Sequence, residues 1–187
     1  MNSKKVATIV VLSALSIGTN YAMLFLFNVK FMDLIVFVAG FCFGPFVGGL
    51  IGILSWAVYG TLNPLGFSLP IWLSTMFSEA IYGVGGGYVK KLLGSNGSTR
   101  VTSNKVYFCV FFGALGMFLT FCYDFITNMV FGYVNNMNIL VALIVGFVPF
   151  GFIHTLSNAF FFGIGGVPAI NTILRVVGGE NSVVYKE

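Results

Sequence analysis

The chain has 187 residues, of which 58% are hydrophobic and only 7% charged, with a mean hydropathy of +0.98. Soluble domains carry about 25% charged residues, so five acids and nine Lys or Arg are too few to coat a water-facing surface, and a soluble domain is excluded. The net charge of +4 matters less for its size than for its placement along the chain.

A membrane-spanning helix takes about 20 mostly apolar residues. The run from Val6 to Phe27 follows Lys4 and Lys5, as an h-region follows the n-region of a signal peptide. It is long enough to span and no A-x-A cleavage pattern follows it, so it reads as a retained first helix. Asn28, Val29 and Lys30 form a loop. Helix two covers 31–43 and stops at Gly44-Pro45, because a proline disfavours helical backbone in the residue before it. Helix three covers 46–62; both are short for a span. Asn63-Pro64-Leu65-Gly66 has the composition of a turn. Helix four covers 69–89, and the stretch 90–105, with its GSNGST run, is the one polar linker. Helix five covers 106–133, Asn135 to Asn138 form a loop, and helix six covers 139–163, with Pro149 placed to kink it. The tail after Pro168 reads as an interfacial segment with a short polar end. The expectation is an all-α bundle of six transmembrane helices forming a single domain over 1–187.

Charge placement orients the bundle. With the N-terminus inside, Lys4, Lys5, Lys90, Lys91, Arg100, Lys105, Arg175 and Lys186 all fall on the cytoplasmic side and only Lys30 falls outside. That asymmetry is what the positive-inside rule demands. It supports an even number of helices, with both termini cytoplasmic and the linker 90–105 on the same side; a four-helix arrangement, with segments two and three merged and another pair miscounted, fits it less well.

Soluble-enzyme signatures are missing. There is no P-loop G-x-x-x-x-G-K-[ST] and no H-E-x-x-H or G-x-S-x-G. Gly83-Val84-Gly85-Gly86-Gly87 lies inside an apolar helix, where close helix packing explains it better than phosphate binding. Cys42, Cys109 and Cys122 sit in apolar runs without paired spacing, giving neither a disulfide framework nor a metal site. No catalytic residue, metal or cofactor is expected, and the chain is not expected to be an enzyme.

Ionisable groups inside a span are costly and mark function by default. Glu79 falls in helix four, Asp124 in helix five and His154 in helix six. At a rise of 1.5 Å per residue, Glu79 and Asp124 lie roughly 15 Å below the outer surface and His154 roughly 22 Å. Helical spacing puts Trp72, Thr75, Glu79 and Tyr82 on one face of helix four. Met117, Thr120, Asp124, Thr127 and Asn128 share a face of helix five, and Phe150, Gly151, His154 and Asn158 a face of helix six. Turned inward, the three stripes would wall a pocket whose aromatic residues stack on a planar ligand and whose acids and amides bond its polar edge. The expected binding residues are Trp72, Glu79, Tyr82, Asp124, Asn128, His154 and Asn158. Two structural readings stand beside this: Asp124 paired with His154, and Glu79 as a lock between helices four and five. On helix one, Ala14, Gly18 and Ala22 form a small-residue strip that permits close approach of another helix, whether internal or from another subunit. Asn20, in the outer half of the same helix, is placed to reach the pocket.

With these features the chain resembles the substrate-binding S components of energy-coupling factor (ECF) vitamin transporters. The resemblance runs from Ala7 to about Val177. It is carried by the strip Ala14-Gly18-Ala22, by the run from Phe43-Gly44-Pro45 to Gly52, and by Tyr123-Asp124-Phe125-Ile126-Thr127-Asn128. Gly18 stands where that family often has Ala. The resemblance implies capture of a vitamin or related micronutrient from outside the cell membrane. It further implies docking of helices one to three on a transmembrane coupling subunit, and transport driven by two separate ATPase subunits. A self-sufficient secondary transporter or channel, with Glu79 and Asp124 relaying ions or protons, is the alternative. No internal repeat of the kind such transporters often carry is visible.

Overall fold

The computed structural model describes residues 3–63, 66–94, 96–97, 101 and 103–178. Pro64 and Leu65 of the expected turn, Ser95, Ser98, Thr99 and Arg100 of the linker, and Lys186 lie outside the described residues. The chain is an all-α membrane bundle of six helices. These are α1 (Ser3–Ala22), α2 (Met32–Phe43), α3 (Pro45–Thr61), α4 (Leu69–Leu93), α5 (Lys105–Val134) and a composite sixth helix. The composite consists of α6 (Ile139–Gly146), α7 (Phe152–Phe160) and α8 (Gly166–Gly178), joined by the irregular turns Phe147–Gly151 and Phe161–Gly165. Three segments, Ser3–Ala22, Lys105–Val134 and Ile139–Val177, are long and apolar enough to cross a membrane.

The short α2 is the centre of the bundle. Met32 through Phe41 are buried apart from Ile35, and α1, α3, α4 and α8 surround the helix. Twelve residues make about 18 Å of helix, less than the roughly 30 Å of a bilayer core; a helix enclosed by protein does not have to bridge lipid. The surfaces of the outer helices are apolar, with Val10, Phe46, Phe118 and Val106 well exposed, as a lipid-facing belt requires.

Glycines decide how closely α2, α3 and α4 pack. A Cβ on Gly40 of α2 would overlap the backbone of Gly83 in α4, and one on Gly48 of α3 would overlap both Gly40 and Gly83. Gly86 lies equally close to the Phe37 carbonyl. The three backbones therefore touch directly, the arrangement small residues permit between helices in lipid. At the α2–α3 joint, Gly44 has φ +95°, which L side chains disfavour, and Pro45 starts α3 where its missing N–H costs nothing.

Several boundaries differ from the sequence reading. Helix α1 ends at Ala22, not near Phe27. Met23 to Asn28 fold into successive turns instead, ending at Asn28 with φ 52°, whose side-chain amide donates to the Phe150 carbonyl at 2.7 Å. This segment crosses the end of the bundle rather than extending it. The sixth helix breaks at Val148, which is extended (φ −116°, ψ 112°) in front of Pro149. After Pro168, helix α8 continues to Gly178 through the stretch read as an interfacial segment, and the expected polar end lies outside the described residues. A proline ring clashes with the carbonyl four residues earlier; the wide turn Phe161–Gly165 includes that residue, Ile164, and opens the helix there.

Candidate functional site

A cavity of about 560 Å³ lies at the end of the bundle where α1, α3 and α5 finish and α4 begins. The helix ends bearing Lys4, Lys90, Lys105 and Arg175 are at the other end. The turns after α1 roof the cavity with Leu24, Phe27 and Lys30. Trp56 and Tyr59 of α3 and Ile71 and Thr75 of α4 form one wall. Tyr123, Asp124, Thr127, Asn128 and Phe131 of α5 form another, and Gly146 and Phe150 close it. Two of the glycines make room for polar groups: a Cβ at Gly146 would overlap the Asn128 amide, and one at Gly151 would lie 3.2 Å from Asp124 Oδ2.

Residues lining this space carry buried polar atoms without protein partners. Asn20 is 3% exposed and Asp124 6%. Asn20 Nδ2, Asp124 Oδ2 and the Tyr123 hydroxyl have no hydrogen-bond partner, and all three residues line the cavity. The Lys30 ammonium lies 5.0 Å from the Trp56 ring centroid and 5.1 Å from that of Tyr123, a cation–π arrangement with two rings.

Beneath the cavity runs a buried polar chain. Asp124 Oδ1 is 3.0 Å from His154 Nδ1, and His154 Nε2 is 2.7 Å from Asp33 Oδ2. Asn158 Nδ2 donates to the same Asp33 oxygen at 2.6 Å and to Thr120 Oγ1 at 2.7 Å. The Tyr82 hydroxyl donates to Thr120 Oγ1 at 3.0 Å, and Thr120 to the Gly116 carbonyl at 2.7 Å. Where both carboxylates are ionised they only accept, and the histidine between them then donates from both ring nitrogens and carries a positive charge. The chain ties α2, α4, α5 and α7 together. Separately, the Trp56 indole donates to Glu79 Oε2 at 2.9 Å, joining α3 to α4.

The expected binding residues divide accordingly. Asp124 and Asn128 line the cavity. Glu79, Tyr82, His154 and Asn158 are fully buried and are not among its lining residues. Trp72 donates to the Ala57 carbonyl at 3.3 Å and packs on Phe67, also off the lining. Asp124 does pair with His154, with one oxygen, while its other oxygen has no protein partner. Glu79 bonds α3 rather than α5.

Three contributors escaped the sequence reading. Asp33 is a third acid within the bundle, 0% exposed, where only Glu79 and Asp124 were counted; a carboxylate in the otherwise apolar run 31–43 was the available signal. Lys30 was weighed only as a topological charge. Trp56 sits on α3, outside the three stripes. Ala14, Gly18 and Ala22 are exposed on α1, and a Cβ at Gly18 would meet nothing within 4 Å, so the strip is not internal packing. The buried face of α1 carries Ile9, Ser13, Ser16 and Asn20 instead.

An all-α membrane bundle with a mostly apolar cavity holding a few polar groups at one end, over a buried polar network, has the build of a membrane-embedded ligand-binding protein. Residues 4–164 match the family described as ECF transporter, substrate-specific component, and the chain belongs to it. Its general role is that of a substrate-binding subunit of an ECF-type transporter. No curated protein matches the chain, and no solved structure does.

Proposed function

We propose that this subunit captures a vitamin or related micronutrient in the cavity between α1, α3, α4, α5 and the sixth helix, and delivers it inward by way of separate coupling and ATPase subunits. The observation that carries the reading is the cavity itself, whose lining residues Asn20, Asp124 and Tyr123 carry buried polar atoms without a protein partner. Buried polar atoms are otherwise hydrogen-bonded, and a ligand supplies the partners. The positive-inside rule puts the ends bearing Lys4, Lys5, Lys90, Lys91, Lys105 and Arg175 in the cytoplasm. Both termini are then inside and the cavity opens outward in the cell membrane. The exposed strip Ala14, Gly18 and Ala22 is the docking face for the transmembrane coupling subunit, because its small side chains admit close helix approach.

The test is to identify the small molecule that co-purifies with the detergent-extracted protein. Thr127 lines the cavity, and Thr127→Trp fills it. The molecule should accompany the native chain and be missing from a Thr127→Trp variant of similar melting temperature. Equal amounts in both would place the ligand elsewhere. Ion-dependent uptake by this chain alone would favour a self-sufficient transporter.

A further inference from the structure

We infer that the ligand of this cavity is a carboxylic acid, its carboxylate held by Lys30 and its apolar or aromatic frame presenting a hydrogen-bond donor to Asp124. The inference rests on the cavity being the ligand site.

Lys30 carries three N–H donors. Among the described residues no carboxylate oxygen lies within 4.0 Å of its ammonium, and it has no hydrogen-bond acceptor. The Trp56 and Tyr123 rings, 5.0 and 5.1 Å away, orient the charge without satisfying its N–H groups. A neutral ligand that expelled water would leave the ammonium's N–H groups without an acceptor, with only the more distant carboxyls of Asp33 and Glu79 acting on its charge, which is costly. A cationic ligand fares worse. The two aromatic rings that would cage it are already occupied by Lys30, which repels it. An anion supplies the missing acceptor. Asn20, 3% exposed with Nδ2 unpartnered, provides a further donor to the same cavity.

Asp124 limits how much negative charge the ligand carries. Asp124 belongs to the cavity lining, its Oδ2 is an acceptor without a protein partner, and its carboxylate repels anions. The part of the ligand beside it must donate, as an amide N–H, amine or hydroxyl does. A phosphate monoester, with about −1.5 to −2 charges at neutral pH, asks for more positive charge than one lysine offers in a cavity that also holds a carboxylate. A monoanionic carboxylate matches the single ammonium. The remaining lining, with Met23, Leu24, Phe27, Ile71 and Val145, is apolar and suits a ring or alkyl frame. The volume of about 560 Å³ is ordinary for a small-molecule site.

Matched probes test this on the detergent-purified full chain by titration calorimetry. The pairs are biotin and its amide, pantothenate and its alcohol, and nicotinate and nicotinamide, with riboflavin and thiamine as neutral and cationic probes. The acid of one pair should bind about ten- to a hundredfold more tightly than its neutral partner, the range for one charged hydrogen bond. Lys30→Met should abolish that preference and Lys30→Arg should retain it. Failure of every acid to bind, tightest binding by a neutral or cationic probe, or an acid whose affinity Lys30→Met leaves unchanged would each overturn the inference. Thr127→Trp separates this failure from that of the site. A neutral probe displaced by Thr127→Trp removes the carboxylate and keeps the cavity as ligand site, whereas a probe still bound to Thr127→Trp removes both.

Discussion

Replacing Asp33 by asparagine keeps the side chain's size and removes its charge at the centre of the bundle. Asp33 is 0% exposed, and its Oδ2 accepts from His154 Nε2 at 2.7 Å and Asn158 Nδ2 at 2.6 Å, while Oδ1 has no partner. An asparagine oxygen can take the place of Oδ2 and keep both contacts, but each falls from a charged to a neutral hydrogen bond, a loss of about 1 kcal/mol apiece. The new amide N–H₂ takes the place of Oδ1 beside Glu79, whose unpartnered Oε1 can accept from it, so no further loss is expected there. The total of about 2 kcal/mol lies below the usual cost of removing one partner of a buried ion pair, because asparagine keeps both contacts. For a chain of this length each kcal/mol moves the melting temperature by about 2–4 °C, so the ligand-free Asp33→Asn protein in detergent should melt about 4–8 °C below the native one. His154→Leu strips the same network from the other side, so the double variant should lose less than the sum of the two singles, by about 0.5–3 kcal/mol. A melting temperature within about 2 °C of native, or strict additivity, would show that Asp33 and His154 do not act as a unit and that the buried chain is not what joins α2 to the sixth helix.

Gly83→Ala forces a Cβ into the Gly48 backbone and should lower the melting temperature in detergent by more than Gly18→Ala, whose Cβ meets nothing. Overpacking costs about 1–3 kcal/mol, and equal effects would refute the close packing. Gly18→Leu should reduce uptake by the assembled transporter while ligand binding to the isolated subunit stays near native; parallel loss of binding would refute the docking role. Asp124→Asn should weaken ligand binding about ten- to a hundredfold in titration calorimetry, because it turns part of an acceptor wall into a donor, and undiminished affinity would take Asp124 out of the site. In a cysteine-free background, a cysteine at Asn136 should be labelled by impermeant reagent from outside and one at Lys105 should not; the reverse pattern would invert the topology.

The fold was legible because lipid imposes a simple code. Apolar stretches broken by Gly44-Pro45, by the polar linker and by Asn135 to Asn138 mark helices, since unpaired backbone groups are not tolerated in hydrocarbon. The place where α1 ends was not legible. Leu24, Phe25 and Phe27 are as apolar as any spanning residue, and only their use as a roof over the cavity, with Asn28 turned onto the Phe150 carbonyl, separates them from the helix. The site was half legible. Periodicity on single helices found Asp124 and Asn128, together with the buried His154 and Asn158. It had no means of pairing His154 with Asp33, 121 residues away, or of bringing Lys30 over Trp56 and Tyr123. Those neighbours are set by the bundle's packing and not by any one helix's register.

The glycine contacts among α2, α3 and α4 bear on how such a protein acquires new ligands. Where backbone touches backbone, as at Gly40, Gly48 and Gly83, a single residue type fits, and every other choice is eliminated by its first side-chain carbon. The cavity walls carry no such restriction: Thr75, Thr127 and Val145 can change size and polarity without displacing a neighbouring backbone. Substitutions that alter what is recognised are thus physically separated from those that would end folding. The scaffold can then stay fixed while the ligand changes, and an alignment of the family should show glycine held at these three positions and variation at the ligand-facing ones.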